Sequence, residues 1–119
     1  MKTLTICGSM RFSNEMHQIA WELETMHGFN ILQCVYGEGL LDSVAQERLI
    51  NAHYRKIELS DGIYVVDIEG YIGNSVRAEI AYAISIGKEV LYHSKFIQNH
   101  KNTFSNAKLS VQNNYRKIL

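Results

Sequence analysis

A short run of apolar residues, 62–66 (GIYVV), lies near the middle of the chain and does not alternate with polar residues. Neighbouring side chains of a strand point to opposite sides of the sheet, so a strand of this composition is apolar on both faces. Such strands are typical of parallel sheets that are covered by helices. The run therefore predicts a parallel sheet buried between two helical layers.

Strand and helix patterns alternate along the chain. Strands are predicted at residues 3–7, 29–34, 62–66 and 89–93, and helices at residues 13–27, 43–59 and 76–86. Ser13 and Ser43 are the predicted caps of the first two helices, and Gly28 stands where a helix-terminating glycine belongs. This order predicts a three-layer α/β domain over residues 1–93 with a mostly parallel sheet of four to five strands. Residues 94–119 are expected to form a partly helical tail packed on the same domain.

Size and charge exclude several classes of protein. The chain has 119 residues, which is enough for one domain, and 46% of them are apolar, so a compact core is expected rather than disorder. Lys and Arg number 12, as do Asp and Glu, and the net charge is zero. Because no basic cluster is present, binding to a polynucleotide is disfavoured.

Cysteine spacing bears on metal and disulfide sites, and hydropathy bears on the cellular location of the protein. Cys7 and Cys34 stand singly, without a CxxC motif, which disfavours a zinc site and a disulfide framework and predicts two core thiols. No apolar run approaches the roughly 20 residues of a membrane span, and no signal-peptide pattern is present. We therefore expect no membrane partner and a cytoplasmic location, in the host cytoplasm if the protein is viral.

Two glycine-containing loops each lie between a predicted strand and a predicted helix. Backbone N–H groups at such helix starts bind phosphate, and an arginine adds two further donors. Glycine turns and capping serines would explain the same residues without a ligand. The candidate phosphate-binding residues are Gly8, Ser9, Met10, Arg11, Gly73, Asn74 and Ser75.

Three titratable residues are candidates for acid–base or nucleophilic chemistry. Glu79 adjoins the apolar stripe of its helix, where a partly buried carboxylate is suited to act as nucleophile or base. His53 shares an apolar stripe with Leu49 and Ile57, and Asp67 follows the central strand. Structural explanations remain open for all three: a charge that complements a helix dipole, a core histidine and a loop carboxylate.

Two segments together resemble the nucleoside 2-deoxyribosyltransferase-like superfamily. They are residues 6–12 (ICGSMRF), after the first strand, and residues 73–88 (GNSVRAEIAYAISIGK), before the last. The chain particularly resembles the small branch that contains the deoxynucleoside 5′-monophosphate N-glycosidases, over about residues 1–93. The resemblance implies a Rossmann-like fold, a nucleotide or nucleoside ligand, no cofactor or metal ion, and association into homodimers or larger homo-oligomers.

The resemblance also implies roles for individual residues. Glu79 corresponds to the glutamate that attacks the anomeric carbon of the sugar, and Ser9, Arg11 and, more loosely, Ser75 correspond to residues that bind the 5′-phosphate. His53 would then protonate the departing base or orient the sugar, as would Asp67. The implied activity is cleavage or transfer of the C1′–N bond of (deoxy)nucleoside 5′-monophosphates.

A second hypothesis arises from His53, which stands where related enzymes carry an aspartate. Binding needs only the phosphate loops and a stacking surface, so a non-catalytic protein that senses or sequesters a nucleotide-derived signal would also fit. A third hypothesis is an interaction domain whose pocket has no activity. At the level of the sequence, whether the protein is an enzyme stays open.

Overall fold

The computed structural model describes residues 1–37 and 41–100. Strands and helices alternate through this part of the chain. In order they are β1 (Thr3–Cys7), α1 (Ser13–His27), β2 (Asn30–Leu32), α2 (Ser43–Leu59), β3 (Gly62–Val65), α3 (Asn74–Ser85), β4 (Glu89–Tyr92) and α4 (His93–Asn99). Short 3-10 turns at Met10–Phe12 and Ile68–Gly70 follow β1 and β3.

The described strands form one four-stranded sheet in the order β2-β1-β3-β4, and every neighbouring pair is parallel. The prediction of an α/β fold with a parallel sheet is confirmed. From β1 the chain continues to β2 on one side of the sheet, and from β3 it continues to β4 on the other side, so the direction of strand succession reverses between β1 and β3. In open parallel sheets, ligands bind at such a reversal, outside the carboxyl ends of the strands.

Side chains of the central strands alternate between two cores, one on each face of the sheet. On one face, Leu4 and Ile6 of β1 and Tyr64 of β3 pack with residues of α1. On the other face, Cys7 of β1 and Ile63 of β3 pack with residues of α2 and α3. The sheet is therefore the middle of three layers, and Cys7 points toward α2 and α3.

The bounds of α1 and α2 coincide with the predicted ones, and α3 begins two residues and ends one residue before its predicted bounds, but the caps of the first two helices differ. Asp42 rather than Ser43 caps α2, because its carboxylate accepts a hydrogen bond from the Ala45 N–H at 2.8 Å. Ser13 is the first residue of α1 and does not cap it, since the capping position belongs to Phe12. The predicted end of α1 is correct, and Gly28 has the left-handed φ of 71° that favours glycine there.

Part of the C-terminal segment packs on the sheet. Phe96 of α4 contacts Tyr64 edge-to-face with ring centroids 5.6 Å apart, and it packs against the core on the α1 side. Residues 101–119 of the predicted tail lie outside the described residues. None of the helices described here has the length and apolar character needed to cross a membrane.

Candidate functional site

A cavity of about 680 Å³ opens at the carboxyl edge of the sheet, between α2, α3 and the segments that follow β1 and β2. Its walls are mostly apolar and carry a few polar groups, as is typical of small-molecule sites. Within the described ranges, the lining residues are Gly8, Met10, Cys34, Val35, Leu41, Gln46, Leu49, Ile50, His53, Tyr54, Ser75, Ala78 and Glu79. The sequence candidates Glu79, His53, Gly8, Met10 and Ser75 therefore share one cavity.

Three polar side chains meet at the inner wall of the cavity. His53 Nε2 lies 3.0 Å from Glu79 Oε1 and 3.5 Å from Cys7 Sγ. The side chains of His53 and Glu79 are each 13% exposed, whereas Cys7 is buried. The other ring nitrogen, His53 Nδ1, is buried and has no hydrogen-bond partner among the described residues. Nε2 thus makes the contacts of the His53 ring with both Glu79 and Cys7.

Burial favours the neutral forms of two side chains here, the Cys7 thiol and the Tyr54 phenol. Burial raises the pKa of the Cys7 thiol well above its ordinary value, and the negative charge of Glu79 raises it further. Burial also raises the pKa of the Tyr54 phenol, with Glu79 again contributing. Cys7 is therefore a protonated thiol at neutral pH and a weak nucleophile.

The loop after β1 is only partly directed into the cavity. Gly8 and Met10 line the cavity, but Ser9 Oγ accepts a hydrogen bond from the Arg11 N–H at 3.3 Å. The Arg11 guanidinium lies over the Tyr71 ring, 3.8 Å from its centroid, in a cation–π contact. Arg11 is exposed, so its N–H donors are accessible to an anion at the rim.

Tyr71 joins this loop to the start of α3. Besides Arg11, its ring packs near Gly73, where an added Cβ would lie 3.6 Å from the tyrosine hydroxyl oxygen. Gly73 holds the capping position of α3 and has no side chain with which to cap it. Asn74 and Ser75 consequently begin a helix whose first N–H groups lack a side-chain cap, a suitable setting for an anion next to the cavity.

Asp67 has a structural role that its position in the sequence does not reveal. Its Oδ1 accepts a hydrogen bond from the Ser94 N–H at 2.8 Å, and its Oδ2 accepts one from the Ser94 hydroxyl at 2.6 Å. The carboxylate is buried and is not among the described residues that line the cavity. Asp67 thus holds the start of α4. It does not lie beside Glu79 and His53 in the wall of the cavity, where it would have to lie to share their chemistry.

We expect Asp67→Ala to lower the free energy of unfolding by about 1–2 kcal/mol, because the partly buried Ser94 N–H loses its acceptor. Urea denaturation monitored by circular dichroism measures this change. Asp67→Asn, which retains one acceptor oxygen, should lose less. An unchanged free energy of unfolding in Asp67→Ala would contradict this structural role.

Cys7 and Tyr54 are among the residues near the cavity that sequence reasoning did not single out as site residues. Cys7 was expected to be a core thiol, and it is buried, but its neighbours come from two distant helices. Because neighbouring side chains of a strand point to opposite faces of the sheet, the sequence could have placed Cys7 on the face opposite that of Ile6. Tyr54 directly follows His53 and lines the same cavity, although no spacing signal indicates it.

Comparison of the chain with protein-family models, with curated proteins and with solved structures finds no match.

Proposed function

We propose that the cavity binds a (deoxy)nucleoside 5′-monophosphate and that the protein cleaves or transfers its C1′–N bond. The observation that carries this proposal is the Glu79 carboxylate, which lies in the wall of the cavity with 13% of its side chain exposed. A carboxylate held against an apolar cavity by a histidine at 3.0 Å is suited to nucleophilic attack on a carbon.

The size and polarity of the cavity suit a nucleotide. Its volume of about 680 Å³ lies within the usual range of small-molecule sites, about 300–1,000 Å³. Apolar side chains such as Leu49 and Ile50 offer surface for a base and sugar. Ser75 and the uncapped start of α3 offer donors for a phosphate, and Arg11 stands nearby on Tyr71.

The proposed reaction has two steps, as in retaining glycosidases. First, a Glu79 carboxylate oxygen forms a bond to C1′, and the base leaves with the electron pair of the C1′–N bond and takes a proton from water. In the second step, water attacks C1′, gives up a proton to solvent and releases Glu79. Attack by a second base in place of water gives transfer instead of hydrolysis.

The role that the geometry supports for His53 is to position the nucleophile. Its contact with Glu79 Oε1 restricts the rotation of the carboxylate, and α2 and α3 hold the two residues in place. These helices contact each other through Tyr54 and Tyr82, whose ring centroids are 5.0 Å apart, and through a 2.6 Å hydrogen bond from the Tyr82 hydroxyl to Glu58. A fixed carboxylate lowers the entropy cost of reaching the attack geometry.

The test is incubation of the protein with a panel of nucleoside and deoxynucleoside 5′-monophosphates, followed by chromatography for free base. Release of base from at least one member supports the reaction. A parallel incubation with an added free base separates transfer from hydrolysis.

The second candidate function is non-catalytic binding of a nucleotide or nucleotide-derived signal. The observation that favours it is His53 at the place of the family's aspartate, because a sugar hydroxyl then lacks a second carboxylate. Calorimetric binding of a nucleotide, with no base released from any member of the panel, would establish this alternative.

We further propose that a second copy of the chain covers the cavity rim, defined here as Val35, Leu41 and Ile50. These three residues line the cavity and are 61%, 41% and 55% exposed. Among the residues of α2, all of which the structure describes, Ile57 is the one that is buried. The chain carries no net charge, so two copies do not repel each other strongly.

Sedimentation at micromolar concentration should therefore show a dimer, and Ile50→Glu should shift it toward the 13.6 kDa monomer, because a charge would be buried in the contact. Ile84→Glu is the matched control, since Ile84 is 62% exposed on α3 and does not line the cavity. A monomer for the unmodified protein, or equal dissociation by both variants, would contradict the rim as the interface.

A further inference from the structure

We propose that Cys7, His53 and Glu79 form a binding site for a divalent transition-metal ion of the zinc type. Each residue offers one donor atom, and the three atoms lie within 4.8 Å of one another. The residues belong to β1, α2 and α3, so the site exists only in the folded chain. This inference goes beyond the proposed function and does not depend on it.

Two of the three separations between donor atoms are close to those of ligands around one ion. In a tetrahedral zinc site the bonds to sulfur and to nitrogen, about 2.3 and 2.0 Å long, place sulfur and nitrogen about 3.5 Å apart. Cys7 Sγ and His53 Nε2 are 3.5 Å apart. Nitrogen and oxygen ligands should be about 3.3 Å apart, and His53 Nε2 and Glu79 Oε1 are 3.0 Å apart. Small side-chain movements would therefore admit the ion.

The donor types narrow the choice of metal. When the ion binds, Cys7 releases its thiol proton to solvent and coordinates as a thiolate. A thiolate, an imidazole and a carboxylate together suit zinc and its first-row neighbours, whereas magnesium and calcium prefer oxygen ligands alone. Three protein ligands would leave one coordination position open. Because His53 and Glu79 line the cavity, that position would face the space in which a small molecule binds.

A cysteine-based catalytic triad would explain the same residues, but the contacts do not allow it. In such a triad the histidine uses one nitrogen for the nucleophile and the other for the acid. Here Cys7 and Glu79 both contact Nε2, and Nδ1 has no partner among the described residues. Cys7 is also 1% exposed, so its sulfur is closed to a substrate, whereas an ion needs only the small side-chain movements described above. Three donor atoms within 4.8 Å of one another are an arrangement that suits a metal ion.

A metal ion at this site would compete with the proposed glycosyl chemistry. Glu79 cannot coordinate the ion and attack a sugar carbon with the same carboxylate oxygen. The metal-bound protein should therefore release no base, and a chelator should restore the release.

The test uses the full chain after treatment with a chelator, with Co²⁺ as the spectroscopic probe and Zn²⁺ in calorimetry. We expect one ion per chain and a thiolate-to-cobalt charge-transfer band. Each of Cys7→Ser, His53→Gln and Glu79→Gln should weaken binding by at least about 100-fold, because even partners of a metal's ligands contribute 10–100-fold to affinity.

Cys34→Ser is the matched control, since Cys34 lines the same cavity but is not part of the three-residue cluster. This variant should keep the band and the affinity for Zn²⁺. Loss of the band in Cys34→Ser, or unchanged Zn²⁺ affinity in His53→Gln and Glu79→Gln, would overturn the assignment. If Cys7→Ser fails to fold by circular dichroism, the other two variants still decide the matter.

Separate measurements test the metal site and the proposed function, so a result against one does not count against the other. Metal binding is measured without nucleotide, and base release is measured in the presence of a chelator. A charge-transfer band without base release under any condition supports the metal site alone. Base release without a band, and without Zn²⁺ binding in calorimetry, supports the glycosyl chemistry alone.

Discussion

Replacing Glu79 by glutamine is expected to lower the rate of base release from a nucleoside 5′-monophosphate by about 10³-fold or more. Glutamine retains the shape of the side chain but cannot form the glycosyl–enzyme bond, because its amide is a poor nucleophile. The affinity for the nucleotide should change far less, since the carboxylate is one of many groups in the wall of the cavity. Chromatography of free base and calorimetry of nucleotide binding measure the two effects.

Glu47→Gln is the control for this substitution. Glu47 lies on α2 and is exposed, and it is not among the described residues that line the cavity, so the same chemical change there should leave both measurements unaltered. Equal rates of base release for Glu79→Gln and the unmodified protein would show that another group attacks the sugar. Glu79→Gln should also retain its fold, because glutamine can still accept a hydrogen bond from His53.

Local patterns were sufficient to predict the sheet and its covering helices. The predicted strand at residues 3–7 coincides with β1, and the strand at 62–66 differs from β3 by one residue. Both predictions depend on neighbouring residues, which the sequence displays directly. The predicted cap of α2 was wrong by one residue, because Asp42, whose side chain is as good a cap as that of Ser43, directly precedes the first helical residue.

The candidate site was predictable where it depends on helical periodicity. Glu79 and His53 were placed on the inner stripes of two separate helices, and both line the cavity. Periodicity does not show how two helices are turned relative to each other. The 3.0 Å contact between these residues follows from the packing of α2 against α3, so it could not be predicted from either stripe.

Partners that are distant in the chain account for what sequence reasoning missed. Asp67 has the chemistry and the strand-end position of a functional carboxylate, but Ser94 lies 27 residues later and uses both of its oxygens. The contact of the Arg11 guanidinium with the ring of Tyr71, from another loop, was likewise not predicted, and the phosphate role of Arg11 stays a prediction. Each outcome depends on which loops meet at the carboxyl edge of the sheet.

At the opposite, amino-terminal edge of the sheet, β3 and β4 approach each other closely at Gly62. Gly62 is paired with Glu89, and an added Cβ would lie 2.5 Å from the Glu89 backbone oxygen. Side chains can rotate away from such a contact, but a backbone oxygen in a strand cannot. Gly8 differs in this respect, because its closest neighbour is the flexible side chain of Met16, at 2.9 Å.

Gly62→Ala should therefore lower the free energy of unfolding by about 3 kcal/mol, since the added methyl group forces the two strands apart. For a domain of this size the loss corresponds to a Tm lower by roughly 10 °C. Gly37→Ala is the matched control, because an added Cβ there has no atom within 4 Å, and its Tm should stay near that of the unmodified protein. Thermal unfolding followed by circular dichroism compares the three proteins. Equal Tm values would mean that β4 can move away from Gly62 at little cost, and the close strand contact would then not be what fixes this edge of the sheet.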